Sequence, residues 1–174
     1  MLKRDIKMFD LINKLDITRT FIVKCTVTHF YDVCEVTYLE VTRTFEGGLV
    51  TFACAHLFKL TIRFDQNANS KVLLNNFCKA LTKQFDSSRD NFKYKLIFPD
   101  AFRIVDKKKG RKRVFGYKTR KIKECTYLVV YELFFDELII LSKKIKYDKD
   151  KTTIIEAFVE CLKLNGIEIA EREE

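Results

Sequence analysis

The sequence predicts an α+β fold, with a mostly antiparallel sheet covered by two or three helices in a single compact domain spanning residues 1–174. Three observations lead there. Several stretches alternate apolar and polar residues with period 2, the mark of half-buried strands, and at least two others carry an apolar stripe at helical spacing. Only 5 Gly and 1 Pro occur against 16 Phe and 7 Tyr, so the chain favours regular structure with short connections over linkers.

Taken in order, Ile6, Phe9, Ile12 and Leu15 recur at helical spacing after Asp5, an N-cap residue type, and predict a short helix ending near Asp16. Phe21, Val23, Cys25 and Val27 then alternate with Lys24, Thr26 and Thr28 as a strand, and Val33 to Phe45 is similarly rich in Val, Thr and Tyr. Gly47-Gly48 supplies a two-residue hairpin turn, because glycine adopts positive φ at both positions without strain. From Leu49 to Phe64 the alternation of Val50, Phe52, Cys54, His56, Phe58, Leu60, Ile62 and Phe64 predicts one long strand.

A polar turn at Asp65 to Asn69 precedes a helix expected to be capped by Ser70, with Leu73, Leu74, Phe77, Cys78, Leu81 and Phe85 as its apolar stripe over the sheet. Phe92, Tyr94, Leu96 and Phe98 form a strand expected to stop at Pro99, and Phe102 and Ile104 open another. That strand runs into a hairpin whose tip lies around Gly110, after which Val114, Phe115 and Tyr117 return to apolar character. Thr126 to Phe135 reads as a central strand, whereas Leu138 to Tyr147 fits a helix face and a strand equally. Thr153-Ile-Ile-Glu156 is a capping box, Ile154, Ile155, Phe158 and Leu162 make the following stripe, Asn165-Gly166 stops it, and Ile167 and Ile169 suggest a closing strand.

Charge is the one feature above background. The net charge is +9, from 33 basic and 24 acidic residues. Ten of the bases fall between Lys107 and Lys123 with no acid among them: Lys107, Lys108, Lys109, Arg111, Lys112, Arg113, Lys118, Arg120, Lys121 and Lys123. Without those ten, 23 bases face 24 acids and the remainder is close to neutral. Like charges at that density repel one another and call for a polyanionic partner or a solvated loop. Several phosphates could be neutralised there with steep salt dependence, and Phe115 and Tyr117 are candidates for stacking on bases. The same Lys107–Arg113 stretch reads as a nuclear-import signal and as a contact for an anionic membrane surface.

Catalytic constellations are not expected. The sequence has no GxGxxG, Walker A, H-E-x-x-H or G-x-S-x-G, and the six cysteines (Cys25, Cys34, Cys54, Cys78, Cys125, Cys161) form no C-x-x-C pair. With no secretory h-region, the chain is expected to be intracellular, and each cysteine reads as a small buried apolar residue. A thiol such as Cys54 with His29 or His56 is the raw material of a nucleophile or metal site, yet a lone histidine on an apolar strand face is more often a hydrogen-bonded core residue. Glu35 and Glu40 lie on opposite faces of their strand, and Asp136-Glu137 marks a turn or a helix start. No metal, cofactor or enzymatic activity is therefore anticipated.

The order strand (Thr126 to Phe135), linking stretch, capped helix (Thr153 to Asn165) and Gly166-Ile-Glu-Ile169 resembles the C-terminal part of rhabdovirus matrix proteins, particularly the short ones of plant-infecting cytorhabdoviruses. The resemblance implies a structural virion protein, located in virion and host cytoplasm, that condenses ribonucleoprotein, self-associates and contacts the inner face of an anionic membrane. Many matrix proteins carry a proline-containing N-terminal arm with a budding motif; here the sole proline is Pro99, so budding is not implied. A strand ending at Leu133, a helix from Asp136 to Tyr147 and a second helix from Thr152 also look like a ribbon-helix-helix module, which would make the chain a dimeric DNA-binding regulator. Against that second likeness, Val129, Tyr131 and Leu133 are not the polar residues that read bases.

Overall fold

The computed structural model describes residues 13–30, 33–54, 58–63 and 69–173. Among them are nine strands, β1 (Ile17–His29), β2 (Cys34–Glu46), β3 (Leu49–Cys54), β4 (Phe58–Arg63), β5 (Asp90–Val105), β6 (Lys112–Ile122), β7 (Cys125–Phe134), β8 (Glu137–Ile140) and β9 (Ile145–Lys146), and two helices, α1 (Ser70–Phe85) and α2 (Ile154–Leu164). The α+β class holds, with the sheet dominating. The helix expected over Ile6 to Leu15 lies outside the described residues except at its end, where Leu15 is buried and bridges to Glu171.

The chain divides into two compact units, one containing residues 20–101 and 135–137, the other the described parts of 1–19, 102–134 and 138–174. In the 20–101 unit the antiparallel order is β4-β3-β2-β1. Gly47 and Gly48 turn β2 into β3 at φ +56° and +78°, with Glu46 paired to Leu49, as the diglycine predicts. Helix α1 lays Leu74, Phe77, Cys78 and Leu81 on Phe21, Val23, Val41, Val50 and Phe52, and the Phe52 and Phe77 rings stack at 6.1 Å. Its N-cap is Asn69, whose side chain accepts from the Lys71 amide at 2.8 Å, and not Ser70; the Ser70 hydroxyl accepts from Arg43 Nη1 at 2.8 Å.

Two expectations are overturned here. The long strand from Leu49 to Phe64 is a hairpin, β3 against β4, with Val50 opposite Ile62 and Cys54 opposite Phe58. A three-residue connection keeps odd and even positions in phase across the turn, so Val50, Phe52, Leu60 and Ile62 stay on one face and the alternation conceals the reversal. Nor does β5 stop at Pro99: it continues to Val105. Proline removes one ladder donor, but its fixed φ is close to the extended range, so a strand can pass through it.

In the other unit, β6 pairs with β7 from Val114–Leu133 to Ile122–Cys125, and β8 and β9 lie beside β7. Residues Leu138 to Tyr147 thus make short strands, with β9 aligning Ile145 to Leu128. The helix that a ribbon-helix-helix module needs from Asp136 to Tyr147 is absent, and Phe135 and Asp136 form a β-turn at φ 47° and 69°. Helix α2 is the core of this unit: Phe158 is fully buried, 4.7 Å from the Phe102 ring and 6.0 Å from Phe115, with Ile104, Leu128, Val130 and Leu162 around it. Thr153 caps α2 by accepting from the Glu156 amide, while the Glu156 carboxylate accepts from Thr152 at 2.9 Å, so the box closes on the neighbouring hydroxyl. At its other end Gly166 (φ +79°) donates to Lys163 O and Ile167 to Leu162 O, a Schellman motif. The closing strand of Ile167 and Ile169 reduces to isolated bridges, Asp106 to Ile169 and Leu15 to Glu171.

Because α2 presents Phe158 to two aromatic partners in a close-packed core, Phe158→Ala is expected to lower stability by about 3–5 kcal/mol in chemical denaturation. A cost below about 1 kcal/mol would show that α2 is not the packing centre of its unit.

Candidate functional site

The first half of the basic segment forms the tip joining β5 to β6, and Asp106 builds it. Its amide donates to Arg111 O at 2.9 Å, its carbonyl accepts from the Gly110 amide at 2.7 Å, and Gly110 takes φ +64° to close the turn. One carboxylate oxygen accepts from the Lys108 amide at 2.9 Å and the other from Arg113 Nη1 at 3.0 Å. Arg113 in turn forks onto Glu132 across the β6–β7 pair, at 2.8 and 2.7 Å. Arg113, Asp106 and Glu132 are buried or nearly so, at 18%, 5% and 12% side-chain exposure. Desolvation raises the Asp106 carboxyl, but the Lys108 amide and the Arg113 guanidinium outweigh it and hold the group below the ordinary carboxylate range. Lys107 donates its amide to Glu168 O, which seats the tip on the C-terminal segment.

Arg113 is accordingly a structural cation. The other nine predicted bases, Lys107, Lys108, Lys109, Arg111, Lys112, Lys118, Arg120, Lys121 and Lys123, are exposed. They do not share one loop. Lys107 to Lys112 sit at the start of β6, and Lys118 to Lys123 at its far end; six strand steps from Lys112 to Lys118 separate the nearest bases of the two groups by about 20 Å. At the far end Lys118 and Arg120 lie on the face away from α2, Lys121 on the α2 side beside Thr126, and Lys123 in the β6–β7 turn with Glu124.

Pairing of β9 with β7 brings in bases that sequence reading passed over. Arg120 faces Tyr127 and Tyr127 faces Lys146, one row across β6, β7 and β9, and the Lys144 ammonium stands 5.0 Å from the centre of the Tyr127 ring. Residues 118–122, 125–129 and 143–146 carry Lys118, Arg120, Lys121, Lys143, Lys144 and Lys146 and no acid. The signal was the run Lys143-Lys144-Ile-Lys146, masked by the helix-or-strand ambiguity around it. Asn165 pins that run: its Oδ1 accepts from the Lys143 amide at 3.0 Å and its Nδ2 donates to Lys143 O at 2.9 Å.

The stacking expectation fails for Phe115, which is fully buried against Phe158. Tyr117 faces the same core, stacked on Phe102 at 5.8 Å. Both project to the α2 side because odd residues of β6 share that face. An open cleft of about 790 Å³ is lined by Lys146, Lys149 and Lys151 but also by Glu124, Asp148 and Asp150, so its charges balance and it carries no net positive field.

His56 lies outside the described residues. His29 is engaged by two carboxylates, Nδ1 with Asp90 at 2.8 Å and Nε2 with Glu35 at 3.5 Å, and the Asp90 bond leads in raising its pKa. Opposite ring nitrogens cannot converge on one ion, so this trio is an ion-pair bridge between β1, β2 and β5. Cys54 is buried and burial pushes its thiol up to about 11, as it does for Cys78. Cys25 and Cys161 are buried and raised likewise, whereas Cys34 and Cys125 are exposed. Among the described residues no helix is long and apolar enough to cross a membrane. Comparison of the chain with protein-family models, with curated proteins and with solved structures finds no match.

Asp106→Asn is expected to cost about 1–3 kcal/mol, since Arg113 loses half of its pairing. Because the folded-state pKa of Asp106 is depressed, the stabilisation is present above the unfolded carboxylate value and is lost as pH falls through the folded one, so wild type and variant should converge on acidification. Stability curves that stay parallel down to strongly acidic pH would contradict this. In native protein, iodoacetamide should modify Cys34 and Cys125 promptly and Cys25, Cys54, Cys78 and Cys161 only on unfolding, read by mass spectrometry.

Proposed function

We propose that this chain is a non-enzymatic structural protein that binds polyanions, of the matrix-like kind that associates with ribonucleoprotein and an anionic membrane surface. The observation that carries the reading is nine exposed bases and no acid between Lys107 and Lys123, on a chain otherwise near neutrality. Their division between the two ends of β6 favours an extended partner. At one charge per 3.4 Å of a nucleic-acid strand, about 20 Å corresponds to roughly six phosphates, so a small anion cannot engage both ends at once. Self-association and nuclear import through Lys107–Arg113 belong to the same proposal. The dimeric DNA-binding regulator is set aside because the helix its ribbon-helix-helix module requires is replaced by β8 and β9.

Binding of the full chain to single-stranded RNA, duplex DNA and anionic liposomes across a salt series tests this reading. Steep salt dependence is expected, and reversing Lys107, Lys108, Lys109, Arg111 and Lys112 to Glu should weaken binding at least tenfold while leaving the fold intact. The substituted side chains are exposed and Asp106 and Arg113 are kept. Wild-type affinity in that variant for all three ligands would remove the tip from the site.

A further inference from the structure

We propose that the end of the β6–β7–β9 face turned away from α2 is a binding platform for single-stranded nucleic acid, on which Tyr127 stacks an unpaired base and Lys118, Arg120, Lys144 and Lys146 hold the flanking phosphates. The proposal rests on the polyanion-binding reading and gives it a location and a ligand class.

Four observations place the platform. The registers Arg120–Tyr127 and Tyr127–Lys146 set a partly exposed aromatic ring between two exposed cations in one cross-strand row, on strands spaced about 4.8 Å apart. Lys118, two residues before Arg120, projects from the same face as a diagonal neighbour of Tyr127. On the same strand Val129 is buried, so the open part of the face is its end, at Tyr127. The fourth is the Lys144 ammonium over the Tyr127 ring at 5.0 Å, which puts an exposed side chain against the π-face of the ring.

The chemistry separates single strands from the alternatives. A lipid headgroup or a stacked duplex offers phosphates to lysines and arginines but no free base plane for Tyr127. A single strand offers both, and every base has a π-face. On binding, the Lys144 side chain leaves the ring for a phosphate and a base takes its place. Lys144 can make that exchange because it is exposed and flexible, while the adjoining Lys143 backbone is held by Asn165.

The test compares oligouridylate, a duplex of the same length and phosphatidylserine vesicles as ligands for the full chain. Tyr127→Leu is expected to weaken the single strand about tenfold or more with an unchanged salt slope, and to leave duplex and vesicle binding as they were; Tyr127→Phe should behave as wild type. Arg120→Glu with Lys146→Glu, at exposed positions that do not support the core, should weaken the single strand and flatten its salt slope. Unchanged single-strand affinity in either the Tyr127→Leu or the doubly reversed chain overturns the platform, as does an equal loss for all three ligands. If reversal of the 107–112 tip abolishes binding while the strand variants bind normally, the platform fails and the polyanion reading stands. If wild type binds none of the three, both fail.

Discussion

Arg113 is the one base of the basic segment that the structure has taken out of solvent, and the placement of the others follows from it. Its guanidinium joins the last position before the turn, Asp106, to the facing strand through Glu132. A planar fork matched to two carboxylates fixes orientation as well as distance, which a lysine at that position could not do. The triad has one cation and two anions, so the root of the tip is locally acidic beneath Lys107 to Lys112 and offsets part of their mutual repulsion. Aligned in this way, β6 and β7 run in register as far as Ile122 and Cys125, which puts Arg120 beside Tyr127.

Strand geometry redistributes charge that is contiguous in sequence. Seventeen residues that look like one cluster become two patches at opposite ends of β6, with alternate residues dealt to opposite faces. The same geometry collects charge that is distant in sequence, since β9 and the residue before it bring Lys146 and Lys144 to Tyr127. A charge count along the chain therefore sees one cluster where strand pairing makes two.

Much of the fold was legible because local physics and tertiary structure agree at the places where it was read. Gly47-Gly48, the stripes of α1 and α2 and the stop at Gly166 each rest on a backbone conformation or a periodicity that nothing elsewhere in the chain contests. The failures have different causes. The β3–β4 pairing preserves parity, so the reversal between Cys54 and Phe58 leaves no trace in the alternation. Pro99 does not stop the strand, and Phe92, Tyr94, Leu96, Phe98, Phe102 and Ile104 share one parity across it, interrupted by Asp100. Phe115 was read as a surface aromatic because the charges around it hid the inward parity it shares with Tyr117. Tyr127 meets Arg120 and Lys146 only through strand pairing, which the order of residues along the chain does not show.

The closed turn at Asp106–Gly110 bears on how tightly and how fast a ligand can be held. A disordered run of lysines must lose backbone freedom when it meets a polymer, at about 1–2 kcal/mol per residue fixed. Here the backbone is already bonded at Asp106, Lys107, Lys108 and Gly110, so association immobilises little beyond exposed side chains. On the proposed polyanion reading such a tip would be a preorganised electrostatic comb: capture would proceed without a folding step, and the lifetime of the complex would be set by how many teeth stay engaged at once.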